Sequence, residues 1–62
     1  MEDRKLLGTI HFSDRIDEYY CVRIKHPEKH EFFFKIISVF EDRAIEKLID
    51  ENELPESIRI IS

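Results

Sequence analysis

The sequence predicts a small α+β domain of order β-β-β-α-β: a three-stranded antiparallel sheet, one helix packed on one face, and a short C-terminal strand. Three observations carry this expectation. Residues 5–37 contain three runs with apolar residues at alternate positions or dense in aromatic and β-branched residues, separated by polar turns. Ser38-Val39-Phe40-Glu41 has the pattern of a capping box, and an apolar stripe at helical spacing follows it. Asn52 can take the left-handed terminating conformation, and Pro55 prevents continuation.

Length and composition set the frame. Sixty-two residues make one domain, 1–62, whose margin of stability is thin because a chain this short buries only about 60% of its unfolded surface. The single cysteine allows no intrachain disulfide, which excludes an extracellular disulfide scaffold and points to a reducing, cytoplasmic compartment. Met1-Glu2-Asp3-Arg4-Lys5 leads into only a short apolar pair, so no secretory leader is expected, and no apolar run approaches a membrane span. Seven aromatic residues and 42% hydrophobic content argue against disorder. Without a disulfide staple, a homodimer is an expected route to adequate stability.

The first strand covers 5–12, with Leu6, Gly8, Ile10 and Phe12 on one side. Ser13-Asp14-Arg15-Ile16-Asp17 forms a polar turn. The second strand covers 18–25, setting Tyr20, Val22 and Ile24 against Tyr19, Cys21, Arg23 and Lys25. His26-Pro27-Glu28-Lys29-His30 is the next turn, where proline suits a loop and not a central strand. The third strand, 31–37, holds the three consecutive phenylalanines. Hairpins centred on Arg15 and Glu28 align three apolar rows: Leu6–Ile24–Phe32, Gly8–Val22–Phe34 and Ile10–Tyr20–Ile36. The helix runs from the cap at Ser38 to about Glu51, with Phe40, Ala44, Ile45, Leu48 and Ile49 as its apolar stripe, and covers those rows. Residues 58–61 read as the last strand; a strand-swapped dimer or a partly closed barrel also suits the pattern.

That register leaves Leu7, Tyr19, Arg23, Phe33, Lys35 and Ile37 together on the sheet face away from the helix. Aromatic residues and arginine among apolar neighbours are typical of interface centres, so these six are the candidate partner-binding residues. The same face suggests an alternative, a nucleic-acid-binding module in which aromatic side chains stack bases beside basic ones. Charge weighs against that alternative. Residues 1–40 balance seven Lys/Arg with seven Asp/Glu, while 41–62 carry three against seven and supply the whole net charge of −4, which repels a polyanion. Asp42, Glu46 and Asp50 form a column at helical spacing, extended by Glu51 and Glu53. It reads as a solvated face or as an acidic docking face for a basic partner.

No cofactor, metal or small-molecule substrate is expected. His26 and His30 flank a turn and Cys21 lies several residues away, without the paired ligand spacing of a zinc site. Cys21 and His11 fall diagonally on one face in this register, yet no glycine-rich anion cradle accompanies them. The only glycine sits inside a strand, which removes phosphate-binding loops. The expectation is therefore a small non-enzymatic regulatory protein (inhibitor, regulator or assembly factor) acting through protein–protein contacts.

Overall fold

The computed structural model describes residues 2–59, and within them the chain is a four-stranded antiparallel sheet in simple meander order, β1-β2-β3-β4. The strands are β1, Glu2–His11; β2, Ile16–Lys25; β3, His30–Val39; and β4, Ala44–Ile49. A single 3₁₀ turn, Glu51–Glu53, and a four-residue helix α1, Glu56–Arg59, follow. The expected α+β class is thereby corrected. The molecule is mostly β, and among the described residues the only α-helix is the four-residue α1, which meets the sheet through Ile58. Residues 40–51, read as that helix, form a turn, β4 and the start of the 3₁₀ segment.

The physical reason lies in length and pairing. A helix starting after Ser38 and stopped near Asn52 would be about a dozen residues, marginal without a large apolar face to bury. The same residues alternate as a strand: Ile45, Lys47 and Ile49 point to one side, and Ala44, Glu46 and Leu48 to the other. Pairing with β3 from Val39↔Ala44 to Phe34↔Ile49 supplies backbone hydrogen bonds for both strands and overrides the helical preference of Ala, Glu, Lys and Leu. Ser38 stays inside β3 and caps nothing.

The turn that makes this possible repeats. Phe12-Ser13-Asp14-Arg15 and Phe40-Glu41-Asp42-Arg43 each close with the Phe N–H donating to the Arg carbonyl, at 2.9 and 2.7 Å. In both, the guanidinium lies 4.3 Å from the ring centroid of that Phe and pairs with the intervening Asp at 3.1 and 3.0 Å. The ring and the carboxylate hold the arginine from two sides, which fixes the tip. The middle turn, His26-Pro27-Glu28-Lys29, closes the same way at 3.0 Å. No described residue has positive φ, so none of these turns uses the primed conformations that call for glycine.

The short turns also correct the register. β2 and β3 pair as Cys21↔Phe34 and Val22↔Phe33, one residue away from the expected Val22–Phe34. β1 meets β2 around Ser13-Asp14, with Gly8↔Tyr19 and Ile10↔Asp17, and a bulge at Leu7 between Leu6 and Gly8 shifts the register further along. A slip of one residue exchanges the two faces of a strand.

The core sits on one side of the sheet. Leu54 and Ile58 are buried there against Tyr19, with Leu7, Ile10, Phe34, Ile36 and Ile49 around them. Pro55 starts α1 instead of ending a helix: its carbonyl accepts from the N–H groups of Ile58 and Arg59 at 2.9 and 3.0 Å. The expected last strand is corrected at Ile58 and Arg59, which are helical; Ile60 and Ile61 lie outside the described residues. Among the described residues no helix is long and apolar enough to cross a membrane.

Candidate interaction surface

Pairing assigns each paired strand residue to a side. The capped side, beneath Leu54 and Ile58, carries the rows Gly8–Tyr19–Ile36–Lys47, Ile10–Asp17–Ser38–Ile45 and Lys5–Cys21–Phe34–Ile49. The other side carries Leu6–Tyr20–Lys35–Leu48, Thr9–Glu18–Ile37–Glu46, His11–Ile16–Val39–Ala44 and Arg4–Val22–Phe33. No described segment crosses this second side, which we call the open face.

The open face has an apolar floor beneath a polar network. Val22 has 0% exposure and Ile37 9%, although no second layer lies above them; neighbouring long side chains do the covering. Arg4 of β1 reaches Glu46 of β4 at 3.9 Å, and the Lys35 ammonium lies 3.6 Å from the same carboxylate. Four strands at their usual spacing set the outer two roughly 14 Å apart, a span that the long Arg4 and Glu46 side chains bridge across the open face. The Arg4 guanidinium also lies 5.2 Å from the Tyr20 ring centroid, and the Tyr20 hydroxyl donates to Glu18 at 3.2 Å. Desolvation, then the hydrogen bond and negative charge of Glu18, hold the Tyr20 phenol pKa above its ordinary value, with Arg4 opposing. Around this network stand exposed apolar side chains: Leu6 at 48%, Leu48 at 65%, and Ile16 and Val39 at 36%.

The six residues expected to share one face are divided three and three. Phe33, Lys35 and Ile37 lie on the open face; Tyr19 and Arg23 pair with Ile36 and Phe32 on the capped side, and Leu7 packs into the core there. Sequence reasoning missed Leu6, Tyr20 and Leu48 as their open-face companions. The repeated Phe-x-Asp-Arg tetrapeptide was the signal that fixes both turn positions, and through them the faces.

The acidic residues are dispersed as well, since there is no helix to align them. Asp42 pairs with Arg43 in a turn, Glu46 is held by Arg4 and Lys35, Asp50 follows β4, and Glu51 and Glu53 lie in the 3₁₀ turn. The acidic helix is corrected accordingly. Cys21 belongs to the capped side, opposite Phe34, and His11 to the open face, opposite Ile16, so the sheet separates thiol and imidazole. Among the described residues no cluster of three His, Cys, Asp or Glu is placed to hold a metal ion.

A charged recess on the capped side, a cavity of about 340 Å³, is lined in part by Arg15, Asp17, Tyr19, Ser38, Lys47 and Glu53. Its buried carboxylate is already engaged: Arg15 Nε donates to Asp17 at 3.1 Å, and the same guanidinium reaches Asp14 at 3.1 Å. Desolvation raises the Tyr19 phenol pKa, Asp17 adds to the rise, and Arg15 opposes it. These groups neutralise one another and explain the turn. Nothing among them is poised as a nucleophile with its base.

The split also divides the residues of the nucleic-acid alternative between the two sides. Tyr19 is buried under the cap, Arg23 pairs with the exposed Phe32 on that same side, and Lys35 on the open face is engaged by Glu46. Comparison with protein-family models, with curated proteins and with solved structures gives no match.

Proposed function

We propose that this chain is a non-enzymatic interaction protein, a small regulator, inhibitor or assembly factor that works by protein–protein contact through the open face of its sheet. The single observation that carries the reading is a sheet face whose floor is dry at Val22 and Ile37 while Leu6, Ile16, Val39 and Leu48 stand exposed around it. Exposed apolar side chains gathered on one face around a charge-balanced network mark that face as a contact site. Phe33, Lys35 and Ile37 form its centre together with Tyr20, with Leu6 and Leu48 at its edges. The location we propose is the cytoplasm, where the free thiol of Cys21 persists.

The sheet edges are poorer contact sites. β1 is interrupted by its bulge and carries Asp3, Arg4 and Lys5, and β4 is six residues long with a charged centre. Both are devices that discourage strand addition. The test is affinity capture with three forms of the protein: wild type, Leu48→Glu on the open face, and Phe32→Glu on the opposite side. At 65% and 66% exposure, the two substituted positions are matched in their tolerance of charge. The reading expects a specific partner lost with Leu48→Glu and kept with Phe32→Glu; the reverse pattern moves the contact to the capped side.

A further inference from the structure

We propose that the partner seated on the open face is a second copy of this chain, packed sheet on sheet about a two-fold axis that runs along the strands. The inference rests on reading the open face as a contact surface, and it names the occupant.

Area is the first argument. A folded monomer of 7.6 kDa is expected to expose about 4300 Å². This chain exposes 4977 Å², an excess of roughly 700 Å², close to the ~800 Å² that each partner contributes to a standard interface. Shape agrees. The radius of gyration is 12.7 Å, against about 10.6 Å for a compact chain of this length, and the thinnest extent is 15 Å. A sheet with its cap on one side only has this flatness, and a second sheet on the other side removes it.

Charge is the second argument. The chain carries −4, yet the centre of the open face sets Arg4 and Lys35 against Glu18 and Glu46 and is neutral. A two-fold contact presents a surface to itself, which a strongly charged patch resists and a balanced one permits. A basic or acidic partner finds no complement there.

Geometry is the third. Rotation about an axis along the strands lays β1 of one copy over β4 of the other. It brings Leu6 over the second copy's Leu48 and Tyr20 over the second copy's Lys35, because all four lie in one row. The two exposed leucines cover each other.

Sedimentation equilibrium from micromolar to millimolar chain concentration tests the proposal. Wild type is expected to approach twice the mass of 7.6 kDa, as is Phe32→Glu. Leu48→Glu is expected to stay at the single-chain mass, its dimerisation weakened at least about a hundredfold because a two-fold contact contains the substitution twice. Leu6→Lys repeats the test on the other edge, and far-UV circular dichroism confirms that each variant is folded. A wild type that remains monomeric at millimolar concentration overturns the proposal, as does a dimer that survives both open-face variants. A monomer that still loses a different protein with Leu48→Glu overturns the second copy alone. A monomer that binds nothing through this face overturns the contact-surface reading as well.

Discussion

Gly8 shows how little room the cap leaves. A Cβ built there would stand 3.2 Å from Ile58 Cγ1 and 3.4 Å from Cδ1, so the buried isoleucine would have to retreat. Gly8→Ala gains about 0.5–1 kcal/mol of strand preference and meets an overpacking cost of roughly 1–3 kcal/mol. A net loss of about 1 kcal/mol is expected, read as a lower urea midpoint at unchanged slope; a gain would show that Ile58 does not pack where described. A second residue-scale effect is electrostatic. Both tyrosines have pKa values above the ordinary 10.0, so between the unfolded and folded values the native state holds more protons. Stability therefore holds below about pH 10 and falls as pH rises through the folded values. Asp17→Asn removes a charge that raises Tyr19, and tyrosinate absorbance should then develop at lower pH than in wild type. An unchanged titration would mean that the phenol and Asp17 do not face the same recess.

At the scale of elements, β4 decides between the two architectures, because helix and strand compete for the same six residues. Lys47→Thr trades a helix former for a strand former beside Ile36 and should raise stability by up to about 1 kcal/mol in a strand. In a helix it would lower it. The thermal midpoint reads the sign. This competition also explains how much was legible beforehand. Periodicity was enough to place strands in the first forty residues, where the three consecutive phenylalanines favour a strand although Phe33, Ile36, Ile37 and Phe40 also fit helical spacing. It was not enough to fix their pairing. The short turns at Ser13-Asp14 and Pro27-Glu28 set the register, and the bulge at Leu7 is visible only once β2 is in place. The β4 segment misled because its capping-box pattern and its Ala, Glu, Lys and Leu content are genuine local preferences that pairing overrules. The candidate surface inherited the slip: Phe33, Lys35 and Ile37 were placed together correctly, while Tyr19 and Arg23 went to the wrong company because one residue of register separates the two faces.

For the whole molecule, the arrangement is a sheet finished on one side. Leu54 and Ile58 close the capped face with one buried anchor each. Among the described residues, the open face is roofed only by its own long side chains, which leaves apolar edges at Leu6 and Leu48. Function, on this account, resides in the unfinished face rather than in any reacting group.

The most direct test of the arrangement that creates this face is a map of side-chain proximities by nuclear Overhauser spectroscopy. The account predicts cross-strand contacts between Tyr20 and Lys35, Lys35 and Leu48, and Ile36 and Lys47, with none at helical spacing within 44–49. Contacts from each residue of 44–46 to the one three positions later, without those cross-strand pairs, would contradict it.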